Sequence, residues 1–251
     1  TPLITNKVQN PIPDPMKDVF YAEEPAVSIN GQTVGVGSVL QYLVEWTNTT
    51  GVDAREVRMV DAAPEGTTYQ LGEDGQPVST GEVVFVSNDP ADVTPGMVRG
   101  GISATLGDDG RLTWAVATGD DVVPAGATVR VTFNVVVTAD TVQNIDNQAS
   151  LFVGEHEHLT NWVHNTVPQP VKDVTTVEDP SASINGQTVH VGDVLRYEVS
   201  WTNGSDLVAD EVSVTDAAPT GTVYVLGDDG APVSDGGIYD AEGNLVEGSG
   251  V

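Results

Sequence analysis

Apolar and polar residues alternate with a period of two along several segments of the chain. In the clearest one, apolar residues occupy every second position from Val129 to Val137. This alternation is typical of half-buried antiparallel strands, and no segment shows sustained helical periodicity. The same pattern recurs in four further sets: Leu40, Tyr42, Val44 and Trp46; Val57, Met59 and Asp61; Leu112, Trp114 and Val116; Ile145, Asn147, Ala149, Leu151 and Val153.

Turn signals separate these segments, at Asn30-Gly31, Asp74-Gly75 and Asp109-Gly110. Many short alternating strands joined by Gly- and Asp-rich turns predict an all-β protein built as an immunoglobulin-like β-sandwich. The stretch 76–105 is irregular, and its strand order does not follow from the sequence.

The chain repeats itself at an offset of 155 residues, without a gap. Such a period shows how the whole chain is organised and predicts tandem domains. Residues 1–15 are then the tail and linker of a preceding repeat, 16–170 a complete sandwich, and 171–251 the N-terminal half of the next. Proline-rich linkers between repeats favour a semi-rigid rod. The matching segments are Lys17-Asp18-Val19 with 172–174, Ile29–Val34 with 184–189, Trp46-Thr47-Asn48 with 201–203, and Asp61–Pro64 with 216–219.

The net charge is −28, with 9 basic and 37 acidic residues. This balance argues against binding to nucleic acid or to anionic membrane surfaces. No apolar run reaches the ~18 residues of a membrane span, and the absence of cysteine excludes disulfides. Because the chain begins inside a repeat, we expect it to be a fragment.

Three polar residues occupy positions that the alternation assigns to the core: Lys17, Asp61 and Asn147. Buried lysine and aspartate are rare unless they are paired. The repeat retains two of the three, as Lys172 and Asp216, although the chain has only three lysines. A Lys and an Asp at core positions of both copies therefore indicate a specific role.

These motifs resemble a known family. The Lys-Asp-Val opening, the strand end Val60–Pro64 and the late Asn147-Gln148-Ala149 are similar to the fimbrial isopeptide-forming, collagen-adhesin-type domains of Gram-positive surface proteins. The resemblance implies that Lys17 is the nucleophile, Asn147 the acceptor and Asp61 the catalytic acid. In the second copy it assigns the same roles to Lys172 and Asp216. It also implies an extracellular, cell-wall-anchored protein.

Physical chemistry is compatible with this triad. Amine attack requires a neutral lysine, and burial can lower a lysine pKa to ~5–6. Burial likewise favours a protonated aspartic acid, which can donate a hydrogen bond to the amide oxygen. Fixing the groups in contact supplies the effective molarity that a slow amide reaction needs. The reaction turns over once, so the domain is not expected to be an enzyme in the usual sense.

Other interpretations of the same residues stay open. Lys17 and Asp61 are equally compatible with a buried ion pair to which Asn147 is only hydrogen-bonded. Asn161 and Asn165 are alternative acceptors, because they share alternation with Leu159, Val163 and Val167. A competing acid, Glu45, aligns with Ser200 and falls on the outward face, so it is rejected.

No metal site or cofactor is expected. His156, His158 and His164 are close in sequence but are better explained as a polar edge. The acidic turns 72–75 and 107–110 lack the spacing of a dedicated calcium loop and are interpreted as hairpin turns. Trp46 and Trp201 are interpreted as packing residues.

The sequence therefore favours a structural stalk in a cell-surface adhesin or pilus-like protein, with neighbouring repeats as its partners. The alternative is a ligand-binding adhesin domain whose loops recognise a host protein or glycan. Near-identical repetition favours the stalk, because a binding site would be expected in one specialised unit.

Overall fold

The computed structural model describes residues 14–85, 97–99, 101–138, 143–203, 208, 212–240 and 244–246. The chain divides into two compact units, Thr1–Asp210 and Glu211–Val251. The described residues form strands and turns without helices, which confirms the all-β prediction. The strands are β1 Met16–Tyr21, β2 Glu24–Ser28, β3 Val39–Thr47, β4 Val57–Ala62, β5 Thr67–Tyr69, β6 Ser79–Phe85, β7 Met97–Arg99, β8 Ala104–Leu106, β9 Arg111–Ala117, β10 Ala127–Val137, β11 Asn144–Asn147, β12 Ser150–Val153, β13 His156–Leu159, β14 Val163–Thr166, β15 Val171–Thr176 and β16 Leu195–Ser200.

Two antiparallel sheets form the sandwich. The larger has the order β2-β1-β3-β10-β6-β7, with β5 pairing the far end of β10, and the smaller has the order β13-β12-β4-β9-β8. Alternate residues of β3, β9 and β10 are buried, as their period-two pattern predicts. Phe133 stacks on Tyr42 at 5.2 Å between ring centroids and meets Trp114 at 6.0 Å. This aromatic group and the surrounding valines form the core, and Trp46 is buried as predicted.

The segment predicted as one strand face from Ile145 to Val153 is in fact two strands in different sheets. β11 pairs β14 in a separate two-stranded sheet, whereas β12 pairs β4 and β13. Between them, the amide of Ala149 donates to the Thr160 hydroxyl at 2.9 Å, and the Thr160 amide donates back to the Ala149 carbonyl. The alternation of buried residues survives the change of sheet, which is why the sequence did not reveal it.

The acidic turns form hairpin connections. Gly75 has φ +73°, a left-handed conformation that favours glycine. The Asp74 carboxylate accepts the amide of Gln76 at 3.0 Å, and Asp109 accepts that of Arg111 at 3.1 Å. The irregular stretch 76–105 contains β6, β7 and β8, while residues 86–96 and 100 lie outside the described part.

Two other predictions about burial were wrong. Val60 alternates with Met59 and Asp61 and was therefore expected to face outward, but it is buried in β4, the central strand of the smaller sheet. Leu159 is 52% exposed, because β13 is the edge strand of its sheet.

In the second copy, β15 and β16 form a two-stranded sheet. Its registers match those of β1 and β3, since Lys172 lies opposite Val199 as Lys17 lies opposite Val44. Lys172 and Trp201 are nevertheless exposed, contrary to the expected core position. Among the described residues no second sheet layer packs on this pair of strands, so the inward face has no cover. Residues 1–13, which include most of the predicted tail, lie outside the description.

The unit Glu211–Val251 contains turns and isolated bridges in its described part. Asp229 accepts the amide of Ala231 at 3.0 Å, repeating the turn seen at Asp74. Asp216 is exposed here, and its carboxylate accepts the Ala217 amide at 2.9 Å. Its predicted core position is therefore wrong for this structure.

Candidate functional site

Lys17 and Asp61 meet in the core from opposite sheets. Lys17 is the second residue of β1 in the larger sheet, and Asp61 is the fifth residue of β4 in the smaller one. Both side chains point inward, and the Lys17 Nζ atom contacts the Asp61 Oδ2 atom. Their side chains are 0% and 1% exposed. The structure thus brings together two of the three predicted residues in direct contact.

Two aromatic rings lie close to the Lys17 amine. Its Nζ atom lies 4.6 Å from the centroid of Tyr42 and 5.3 Å from that of Phe133. Burial lowers the pKa of the Lys17 ammonium group below its usual range, and this effect outweighs the opposing influence of the Asp61 carboxylate. A buried amine with a lowered pKa is closer to the neutral form that a nucleophile requires.

Asn147 is the last residue of β11 and lies beside the end of β4. Its side chain is buried, and its amide Nδ2 donates to the Ala62 carbonyl at 3.3 Å. The Ala62 amide in turn donates to the Asp61 Oδ1 atom at 2.8 Å. The backbone pairing of β4 with β12 ends at Val60 and Ser150, and the Asn147 side chain bonds to β4 two residues further on. The Asn147 side chain is therefore bonded to the residue that follows Asp61 in the sequence.

The alternative acceptors are engaged elsewhere. Asn161 is exposed as a residue, contrary to its predicted core position, because it lies in the link between β13 and β14. Its side-chain oxygen accepts the Lys17 backbone amide at 2.8 Å, and its nitrogen donates to the Lys17 carbonyl at 2.9 Å. The Asn161 side chain thus satisfies both backbone groups of Lys17, as a paired strand would, and it contacts the backbone of Lys17. Asn165 is buried as predicted and donates to the Ile29 carbonyl at 2.7 Å, which fixes the turn after β2.

The remaining candidates are surface features. Glu45 faces outward and pairs with Arg130, as its alternation predicts. His164 bonds to the Asp146 carboxylate at 2.7 Å, while His156 and His158 lie on the edge strand β13. In the part of the chain that the structure describes, no group of three His, Asp or Glu side chains is placed to hold a metal ion.

Tyr42 belongs to this site, although the sequence pattern placed it only in the alternating set with Leu40, Val44 and Trp46. The available signal was the repeat, because Tyr197 stands at the equivalent position, 197 − 155 = 42. The structure repeats the contact as well, with Lys172 Nζ lying 5.0 Å from the Tyr197 ring centroid. Both copies therefore retain a tyrosine ring in contact with the lysine amine.

The structure places a buried amine and a carboxyl group in contact, and it holds a buried carboxamide against the backbone of Ala62, the residue after Asp61. An amine and a carboxyl group in contact can exchange a proton and leave both groups neutral. A carboxamide close to such a pair is an electrophile for acyl transfer. The described residues contain no helix that could cross a membrane.

Comparison with known proteins places the chain in a family. Comparison with the sequences of curated proteins gave no significant match. Among solved structures, the C-terminal domain of the Streptococcus pyogenes antigen I/II-family protein AspA is 21% identical, with a TM-score of 0.44 over 61% of this chain and 46% of that one. The full-length major pilin SpaD of Corynebacterium diphtheriae is 15% identical, with a TM-score of 0.41 over 68% of this chain and 38% of that one. A collagen-binding domain from a Staphylococcus aureus adhesin is 11% identical, with a TM-score of 0.37 over 65% of this chain and 99% of that one.

The chain spans about half the length of the antigen I/II structures it matches first, 50% and 46%. The sequence model for the cell surface antigen I/II C2 terminal domain matches residues 15–167. That range contains Lys17, Asp61 and Asn147, and the match confirms the prediction of a cell-surface protein domain. The chain therefore belongs to the cell surface antigen I/II C2 terminal domain family.

Proposed function

We propose that residues 16–170 form a structural stalk domain of an extracellular adhesin, locked by an isopeptide bond between Lys17 and Asn147. The observation that carries this proposal is the buried contact of Lys17 with Asp61, beside the buried carboxamide of Asn147. A structural ion pair alone would not require a buried asparagine whose side-chain amide bonds to Ala62, the residue that follows Asp61 in β4.

The reaction begins with a proton transfer from Lys17 to Asp61, which leaves a neutral amine and a neutral acid. Protonated Asp61 donates a hydrogen bond to the Asn147 carbonyl oxygen and polarises it. The Lys17 Nζ atom attacks the Asn147 Cγ atom, the Nζ–Cγ bond forms and the Cγ–Nδ2 bond breaks. A proton from Nζ passes through Asp61 to the departing nitrogen. The net products are a secondary amide and an ammonium ion, and Asp61 returns to its carboxylate form.

Burial and proximity supply the driving factors. The lowered pKa of Lys17 reduces the free energy needed to form the neutral amine. Holding the reactants in contact within a dry core replaces a bimolecular encounter by an intramolecular step. Exclusion of water also protects the acyl centre from hydrolysis.

A bond at this place suits a load-bearing role. It joins β1, the first strand of the domain, to β11, close to its last strands, so it closes a loop of 147 − 17 = 130 residues. Force applied to the two ends of the domain would pass through the bond and leave the enclosed strands unloaded. The repetition of Lys, Asp and Tyr at an offset of 155 supports tandem stalk domains of the same kind.

Intact mass spectrometry and a peptide digest test the proposal. We expect the chain to lack the mass of one ammonia and to yield a branched peptide that joins the Lys17 and Asn147 segments. Lys172 is an internal control, because it is exposed and its peptide should be unmodified. An unmodified Lys17 peptide would refute the crosslink and leave a buried ion pair.

A further inference from the structure

The hydroxyl group of Tyr42 is an unusual feature of the core. Tyr42 is fully buried in the middle of β3, and its hydroxyl has no hydrogen-bond partner among the described residues. Nearly all buried hydroxyl groups in proteins are partnered. The nearby Tyr69 follows that rule, since its hydroxyl accepts the Ala63 amide at 3.0 Å and donates to the Gly110 carbonyl at 2.8 Å. The Tyr42 hydroxyl is thus a buried donor that the fold leaves available.

The ring that carries this donor lies against the reacting amine. The Tyr42 ring faces the Lys17 Nζ atom at 4.6 Å from its centroid. Burial raises the pKa of the Tyr42 hydroxyl, and the Asp61 and Asp146 carboxylates raise it further. Asp61 belongs to β4 and Asp146 to β11, so the two carboxylates that act on the hydroxyl stand on the strands that carry the acid and the acceptor.

The repeat argues that the hydroxyl itself matters. Packing against Phe133 requires only a ring, and phenylalanine would fill the same space without an unpartnered polar atom. The second copy nevertheless has Tyr197 at this position, again with its lysine over the ring. Both copies therefore retain a tyrosine where the core alone favours phenylalanine.

We propose that the Tyr42 hydroxyl is a second hydrogen-bond donor to the Asn147 carbonyl oxygen as Lys17 attacks, acting together with protonated Asp61. This inference rests on the crosslink proposed above. Negative charge develops on that oxygen in the tetrahedral intermediate, and a preorganised donor in a dry site stabilises it strongly. In the product the hydroxyl remains bonded to the oxygen of the new amide, so the donor that is unpartnered before the reaction becomes satisfied.

Timed cell-free synthesis of the whole chain tests the role of Tyr42. Samples are quenched in acid at intervals, and the fraction that has lost ammonia is read by intact mass. Tyr42→Phe keeps the ring and removes the donor. Loss of one oxyanion-hole donor costs ~10²–10³ in rate. Because protonated Asp61 remains as a donor, we expect crosslinking to slow by roughly 10-fold or more. Tyr69→Phe is the matched control, because it removes a partnered hydroxyl from the same region and should leave the crosslinking rate unchanged.

Hydrogen exchange of the β3 and β10 amides shows whether each variant has folded. Protected amides with slow crosslinking in Tyr42→Phe, and normal crosslinking in Tyr69→Phe, would support the donor role. Crosslinking of Tyr42→Phe at the wild-type rate would overturn it and leave the crosslink itself intact. Equal slowing in both variants would also overturn it, since a general loss of packing would then explain the effect. A wild-type chain that never loses ammonia would refute the crosslink.

Discussion

The Nζ atom of Lys17 contacts the Oδ2 atom of Asp61 in the core, 44 residues apart in sequence and on opposite sheets. Desolvating two charges costs several kcal/mol per ion, and their attraction offsets this only with good geometry and further hydrogen bonds. Asp61 gains one such bond from the Ala62 amide. Removing one partner would leave a buried charge without compensation and lower stability, so the contribution of the bond to stability is better measured with a variant at Asn147 than with one at Lys17 or Asp61.

The acid is tested by Asp61→Ala. Without the carboxyl group the lysine has no adjacent proton acceptor and the amide oxygen loses a donor, so we expect Lys17 and Asn147 to stay unlinked. Intact mass should then show the full, unreduced value. Asp216→Ala is the matched control, because Asp216 stands at the equivalent repeat position but is exposed, and the ammonia loss should persist. Complete crosslinking in Asp61→Ala would remove Asp61 from the mechanism.

The contribution of the bond to stability is tested by Asn147→Ala, which keeps the Lys17–Asp61 pair. By analogy with a disulfide, closing a loop of 147 − 17 = 130 residues contributes roughly 4–5 kcal/mol to the free energy of unfolding. For a domain of this size, that predicts a melting temperature roughly 10–20 °C lower. Calorimetry measures the difference. A change of only a degree or two would contradict stabilisation by a crosslink, because loss of the hydrogen bond from Asn147 to Ala62 would explain it.

The mechanical prediction concerns the 130 residues between the linked positions. In the linked domain they are shielded from force, whereas in Asn147→Ala they can extend. The contour length released on unfolding should therefore rise by about 430–470 Å in the variant, at ~3.3–3.6 Å per residue. Single-molecule force spectroscopy reports this length directly. Identical force–extension curves for both proteins would contradict a load-bearing crosslink.

The choice of acceptor is tested by comparing three asparagines. Asn161 holds the backbone of Lys17 and Asn165 holds the turn at Ile29, so Asn161→Ala and Asn165→Ala should lower stability and still lose ammonia. Asn147→Ala should abolish the loss. Mass analysis of the three variants separates these roles. Retained ammonia loss in Asn147→Ala, together with its disappearance in one of the others, would move the acceptor to that residue.

The pH dependence follows from the lowered pKa of Lys17. In unlinked Asn147→Ala the unfolded chain protonates this lysine below ~10.4, while the folded state resists protonation until its own lower pKa. Stability should therefore rise with pH between the two pKa values, by at most about 1.4 kcal/mol per pH unit. Urea unfolding between pH 7 and 9 measures the slope.

Two further variants provide the controls for that slope. Adding Lys17→Met to Asn147→Ala removes the titrating amine, so the rise should disappear. Adding Lys172→Met removes an exposed lysine and should leave the rise unchanged. The linked wild-type protein should also lack it, because an amide nitrogen does not titrate. A rise of equal size in all four proteins would show that other groups cause it.

Much of the candidate site followed from the sequence because side-chain alternation in a strand is local. Successive side chains point to opposite faces, so residues that share alternation with Val19, Met59 and Ile145 lie on the same face of their strand. This placed Lys17, Asp61 and Asn147 in the core without knowledge of the strand order. The offset of 155 residues likewise identified the lysine and aspartate as a repeated pair.

Tertiary structure decided what depends on neighbours distant in sequence. The break between β11 and β12 requires Thr160, and the exposure of Asn161 follows from its place between two strands. Only the packing of two sheets brought Lys17 to Asp61 and left the Tyr42 hydroxyl without a partner among the described side chains and backbone groups.

The second copy shows the same limit most directly. Lys172 has the same local pattern as Lys17, yet it is exposed, because burial needs an opposing layer and not only the correct face of a strand. The sequence by itself therefore determined the repeat and the inward faces of strands such as β3, β9 and β10. The folded chain determined which inward faces are covered and which polar groups meet there, because those contacts join residues that no local pattern connects.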